Sequence, residues 1–144
     1  VTAHGAALQG RRIAESLMTS TCTITRASVG KGAWNDATGT YDPPTRITVY
    51  VGRCKVQDNG RSVGTAEAGE LTASVNSLEL HLPIESDGYQ ADDEGGFLRP
   101  RKDDVAVIDS NPLDAGLVGG ELIVQAAHAA TMKTARRLPV EEVS

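Results

Sequence analysis

Aromatic side chains are scarce in this chain: one Trp, one Phe and three Tyr among 144 residues. A core must therefore be assembled from Val, Leu, Ile and Ala, and no strand carries the stacked aromatics of a single-stranded nucleic-acid platform. An excess of basic residues is also missing. The formal net charge of −5 argues against a general nucleic-acid binder, whose footprint is basic. No apolar run approaches the roughly 20 residues of a membrane span, and no secretory h-region is present. A first residue Val1 is consistent with a removed initiator Met. Cysteine is limited to Cys22 and Cys54. They read as free thiols on the apolar faces of two paired strands, with a disulfide as the less favoured alternative.

Catalytic signatures are lacking as well. The three histidines are His4 near the start, His81 on the polar face of a strand and His128 in a turn. None sits beside a nucleophile in a GxSxG context, and neither HExxH nor CxxC occurs. Cys22 and Cys54 read as core rather than as nucleophiles. The acidic stretch Asp87 to Glu94 lacks the alternating ligand spacing of a calcium loop and reads as solvated. The basic groups Arg11-Arg12, Arg99/Arg101/Lys102 and Lys133/Arg136/Arg137 read first as solvated faces or sites for acidic partners, and second as phosphate contacts. The expectation is a non-enzyme without cofactor or metal.

What is present is strand pattern. The length suits one domain, residues 1–144, and 15 Gly and 6 Pro with many Thr, Ser and Val point to short strands joined by turns. Arg46 to Gln57 (RITVYVGRCKVQ) is the longest such run, with TCTITR at Thr21 to Arg26 as its partner. Ile47, Val49 and Val51 alternate with polar residues, and after Gly52 the apolar set shifts phase to Cys54 and Val56. That shift predicts a bulge or bend at Gly52. Ala3 to Met18 reads as a helix with Ala6, Ile13 and Leu17 on one stripe and Arg11, Arg12 and Glu15 on its polar side. Gly5 and Gly10 weaken it, so it depends on packing against something else.

Three stretches read as long loops, at 28–44, 58–69 and 85–102. In the first, Trp34 and Tyr41 either face each other across a small hairpin or belong to a loop whose Trp covers an edge of the core, the second being preferred. Leu71, Ala73 and Val75 alternate, Asn76-Ser77 reads as a turn or bulge, and Leu78 to Ile84 is a strand. Asp104 to Asp109 and Glu121 to Ala127 are further strands, and Thr134 to Val143 is an extended segment that Pro139 confines to a sheet edge. The sum is a mainly β fold: six or seven short strands in a small barrel or sandwich, with an N-terminal helix over 1–20.

Three segments resemble the opening of small tailed-phage or prophage neck proteins from actinobacterial hosts. There a T-C-T-[IV]-T-R strand precedes a W-[ND]-x-x-T-G-x-Y hairpin and a Y-x-G-x-C-[RK]-V-Q strand. The matching positions are Thr21 to Arg26, Trp34 to Tyr41 and Tyr50 to Gln57, and LELHLPIES (Leu78 to Ser86) and the ending His128 to Val143 fit the same pattern. The resemblance implies a head-closure protein, or head-to-tail stopper, with a small β-barrel fold. Such a protein forms a ring of its own copies beneath the portal or adaptor and above the tail terminator or tail tube. It retains packaged DNA, which passes the lumen without sequence-specific binding, and it belongs to the virion neck after synthesis in the host cytoplasm. No membrane is involved. A negative net charge suits such a conduit, because carboxylates let DNA slide where basic residues would hold phosphate.

Within this expectation the candidate lumen or inter-subunit loop carries Asp58, Asn59, Arg61, Glu67 and Glu70, and the candidate partner-docking helix carries Arg11, Arg12, Ile13 and Leu17. The alternatives are a tail terminator or adaptor, a solitary β-barrel binding module, and a small enzyme with a metal in the acidic loop.

Overall fold

The computed structural model describes residues 2–28, 31–62, 76–127 and 133–143. Their order is α1 (Ala3–Ser16), β1 (Ser20–Ala27), β2 (Trp34–Asn35), β3 (Thr40–Tyr41), β4 (Arg46–Ser62), β5 (Asn76–Leu82), β6 (Val105–Ser110), a short 3-10 turn (Ala115–Leu117), β7 (Glu121–Val124) and β8 (Arg136–Glu142). Six strands close into an antiparallel barrel in the order β1-β4-β5-β8-β7-β6, and β2 and β3 form a separate hairpin. Closure leaves the barrel no exposed edge for unwanted pairing.

The core is aliphatic, as the composition requires, with two tyrosines added. Cys22, Ile24, Val49, Tyr50, Cys54, Leu80, Leu82, Ala106, Ile108, Leu122, Val124, Leu138 and Val140 fill the barrel, and Tyr89 joins them from a loop. Period-2 alternation explains most of this set. Cys22 and Ile24 point inward from β1, Leu80 and Leu82 from β5, Ala106 and Ile108 from β6.

The phase change in β4 lies elsewhere than at Gly52. Ile24 pairs with Tyr50 and Thr25 with Thr48, so Val49 is the extra residue, and the bulge sits there. Tyr50, Gly52, Cys54 and Val56 then share one face, while Val51 and Ile47 stay exposed instead of joining the core. The reason is the Tyr50 phenol. It lies inside the barrel and donates from its hydroxyl to the Arg53 carbonyl at 2.6 Å. A Cβ on Gly52 would stand 2.8 Å from that hydroxyl oxygen, so glycine is needed for close approach rather than for a bend.

Several other expectations are corrected. β4 does not end before Asp58: Asp58 pairs with Leu78 and Ser62 with Asn76, so the first part of the expected 58–69 loop is strand, and Asn76-Ser77 opens β5 instead of forming a turn. The alternating Leu71, Ala73 and Val75 lie outside the described residues. In the expected 28–44 loop, Trp34 pairs with Tyr41 in the hairpin. Their rings meet edge to face at 5.0 Å, and both side chains are exposed, so Trp34 does not cover the core. β8 is no edge strand, being paired with β5 and β7. Pro139 fits because its carbonyl accepts from Gln125 just past the end of β7, so its missing N–H falls where the ladder stops. The helix spans Ala3–Ser16, shorter than 1–20, with the Thr2 hydroxyl accepting from the Gly5 N–H at its start.

Both cysteines are free and fully buried. Cys22 lies two register positions from Ser20, the direct partner of Cys54 on β1. The hydrogen bond to Cys54 and burial push the Cys22 thiol far above its ordinary range, so no thiolate forms at neutral pH. Native protein should therefore react with a thiol reagent many-fold more slowly than protein in denaturant. Equal rates in the two states would show that the barrel opens readily around β1 and β4.

Candidate functional site

The long connection between β5 and β6 is built into the wall of the barrel. The Val51 N–H donates to the Gly88 carbonyl at 3.0 Å, and the Gln90 N–H donates to the Val49 carbonyl at 3.0 Å. This covers the flank of β4 that β5, which pairs only from Lys55 onward, leaves open. Ala91 and Phe97 then bridge across a tight turn. One Asp92 carboxylate oxygen accepts from the backbone N–H groups of Glu94 and Gly96, at 2.9 and 2.7 Å. The Asp92 carboxylate therefore serves as a turn cap. Among the described residues, no group of three His, Cys, Asp or Glu side chains is placed to hold a metal ion.

The same connection ends at a buried ion pair that the strand pattern did not reveal. Asp104 is 1% exposed, and Arg26 reaches it with two hydrogen bonds, Nε to Oδ1 at 2.8 Å and a terminal guanidinium N–H to Oδ2 at 2.9 Å. The Arg101 N–H donates to the same carboxylate at 2.9 Å, and Arg26 also donates to the Arg99 carbonyl at 2.7 Å. The end of β1, the loop and the start of β6 are thereby tied together. The signal in sequence was an Asp immediately before an apolar strand and an Arg closing another, too common a pattern to single out.

α1 meets its own barrel through small and polar residues. Arg11 Nε donates to the Lys133 carbonyl at 3.1 Å, and Glu15 pairs with Arg53 at 3.7 Å. Gly10 passes so close to Thr134 that a Cβ would lie 2.7 Å from its methyl group. No residue of the helix is buried. The stripe therefore faces away from the barrel: Ile13 is 58% and Leu17 55% exposed, and Arg12 is exposed beside them. Of the four candidate docking residues, Arg11 holds the helix down, whereas Arg12, Ile13 and Leu17 are available.

The other candidate set is divided by the structure. Asp58 is exposed in β4, and the backbone of Asn59 and Arg61 continues that strand. Glu67 and Glu70 lie outside the described residues. Near this end of the barrel, a cavity of about 170 Å³ opens between Val56, Leu78, Ile108, Leu117 and Leu122, with Glu142 at its rim. Its walls are mainly apolar, and among the described residues Glu142 is the one ionisable side chain that lines it.

Among the described residues, no helix is long and apolar enough to cross a membrane. No curated protein and no solved structure matches the chain. A family model does match, over residues 10–141, and its span takes in every element from the second half of α1 to β8. The chain belongs to that family, described as a family of unknown function (DUF6093).

Proposed function

We propose that the chain is a virion neck component of a tailed phage or prophage, a head-closure protein that joins a ring of its own copies between portal or adaptor and tail. The observation that carries the reading is the pairing of a closed barrel with a helix whose Ile13 and neighbouring Leu17 are exposed and have no cover among the described residues. A barrel without edges associates through side chains rather than by adding strands. The exposed Ile13 on α1 and Leu17 at its C-cap then supply one docking surface, and the long β4–β5 pair supplies a second element near the barrel mouth. The net charge of −5 suits a conduit that DNA must traverse without adhering. In this role the protein has no catalytic step, and its work is assembly and retention.

A tail terminator or an adaptor is a weaker reading. Adaptors are mainly helical, whereas one α-helix and eight strands make up the regular structure of the described residues, apart from a 3-10 turn. The apolar cavity at the barrel end favours a solitary binding module as the reading from a different class.

Light scattering on the purified protein, alone and mixed with head particles that lack a neck, tests the proposal. The expected result is incorporation into the particles in a fixed number of copies, with loss of incorporation on deleting residues 59–68. A protein that ignores the particles removes the neck reading and leaves the binding module.

A further inference from the structure

The outer wall of the barrel separates its charges. Inward Cys54, Leu80 and Leu138 put the adjacent residues Lys55, His81 and Arg137 on the outer face of β4, β5 and β8, with Arg137 exposed, Lys55 half-buried and the His81 side chain 12% exposed. These three stand in one rung, Lys55 opposite His81 and His81 opposite Arg137. His81 lies between the two charged groups, so Lys55 and Arg137 flank it on the neighbouring strands of the same rung. His81 is held by Glu79 at 3.0 Å, but among the described residues neither Lys55 nor Arg137 makes an ion pair. Arg53 lies one outward position along β4 from Lys55 and is paired with Glu15.

Acidic residues gather at the other end of β8 and on its far neighbours. Glu141 follows inward Val140, Glu121 precedes inward Leu122 and Asp109 follows inward Ile108, so all three face out, and all are exposed. β8 shows the separation within one strand, Arg136 and Arg137 opening it and Glu141 and Glu142 closing it. Asp109 accepts from the Thr23 hydroxyl, and Glu141 from the Gln125 amide, but among the described residues none of these four carboxylates is in an ion pair.

We infer that the Lys55–His81–Arg137 rung of one copy binds the Glu121/Glu141/Asp109 patch of a second copy of this chain. The patches occupy different sectors and ends of the barrel. A contact between them is head to tail, leaves each copy with one patch free, and forms a ring when the rotation closes. The inference rests on the ring reading for its geometry and names the surfaces that the ring would use. It differs from the docking role of α1, whose stripe remains available for a portal-side or tail-side protein.

Sedimentation velocity of the full chain at rising concentration, at low and high salt, tests it. Species larger than a dimer are expected at low ionic strength, and they should dissociate as salt screens the exposed charges. Lys55→Glu with Arg137→Glu should weaken association by about tenfold or more, as should Glu121→Lys with Glu141→Lys. Mixing the two double variants should restore it, since each then offers what the other lacks. Circular dichroism of each variant checks that the barrel is intact.

A chain that stays monomeric at low salt, association that stops at a dimer, or variants that fail to complement when mixed would overturn the inference. These readouts need no phage particle. Complementation by a protein that does not join neckless heads would keep the contact and remove the neck reading.

Discussion

Replacing Asp104 with Ala should cost about 3–5 kcal/mol of folding stability, the scale for removing one partner of a buried ion pair. Arg26 would keep its charge with its side chain only 13% exposed and no carboxylate to meet it. The Arg101 N–H would lose its acceptor at the same time. The loss is therefore both electrostatic and local, because this carboxylate fixes the loop that delivers the chain into β6. Replacing both partners, Arg26→Met with Asp104→Leu, should recover part of the stability, since the uncompensated charge is gone. Recovery should stay incomplete, because the Arg99 carbonyl and the Arg101 N–H remain without the partners they have now. Urea denaturation of the single and double variants gives both values. A single variant within about 1 kcal/mol of the parent would show that water reaches the site and solvates Arg26.

The barrel itself was largely legible in the sequence, and the reason is its period. Cys22 and Ile24, and Leu80 and Leu82, alternate with polar residues and are buried as the pattern requires, whereas both faces of β6 are apolar and only the structure shows that Ala106 and Ile108 turn inward. Legibility failed where one residue changes the phase. From pattern alone Gly52 is the natural bulge. Yet nothing in the pattern says that Tyr50 turns its ring inward, and that choice moves the extra residue to Val49 and leaves Val51 outside. Pro139 misled for a related reason. A missing N–H excludes a strand interior only where the ladder needs that donor, and here β7 has already ended.

The candidate site was less legible than the fold. Ile13 and Leu17 were placed on the helix stripe from spacing, and the structure leaves them uncovered. The loop at 58–69 was read from glycines and the lack of periodicity, which do not reveal that β4 and β5 pair as far as Ser62 and Asn76. The charge separation on the barrel wall was out of reach altogether. Lys55, His81 and Arg137 are far apart in the chain, and only the register of three strands places them in one rung.

Tyr89 illustrates the same limit and carries the second large effect. It lies in a connection that opens with acidic residues, where composition suggests solvent, yet it is 2% exposed. Its ring packs on Tyr50 at 4.6 Å between centroids, and the guanidinium carbon of Arg99 stands 4.6 Å from the Tyr89 ring centroid. Its hydroxyl donates to the Pro83 carbonyl at 2.6 Å. Tyr89→Ala should therefore cost about 3–5 kcal/mol, the range for truncating a large buried ring. It should also detach the segment that covers β4 at Val49 and Val51.

Tyr89→Phe separates the hydrogen bond from the packing and should cost about 1–2 kcal/mol, because the Pro83 carbonyl loses its donor. Burial pushes the Tyr89 phenol up from 10.0 to about 12. The folded state thus holds this proton longer than the unfolded chain does. The stability it contributes is complete below pH 10 and is lost as pH rises from about 10 toward 12. The phenol of Tyr50 is raised as well, chiefly by burial, so an alkaline loss persists in the Phe variant but is smaller. Denaturation midpoints of parent, Tyr89→Phe and Tyr89→Ala between neutral pH and pH 11 test both points. Equal alkaline losses in parent and Tyr89→Phe would mean that the Tyr89 hydroxyl is solvated in the folded protein. A mild Tyr89→Ala variant would mean that β4 does not depend on the loop segment for its second flank.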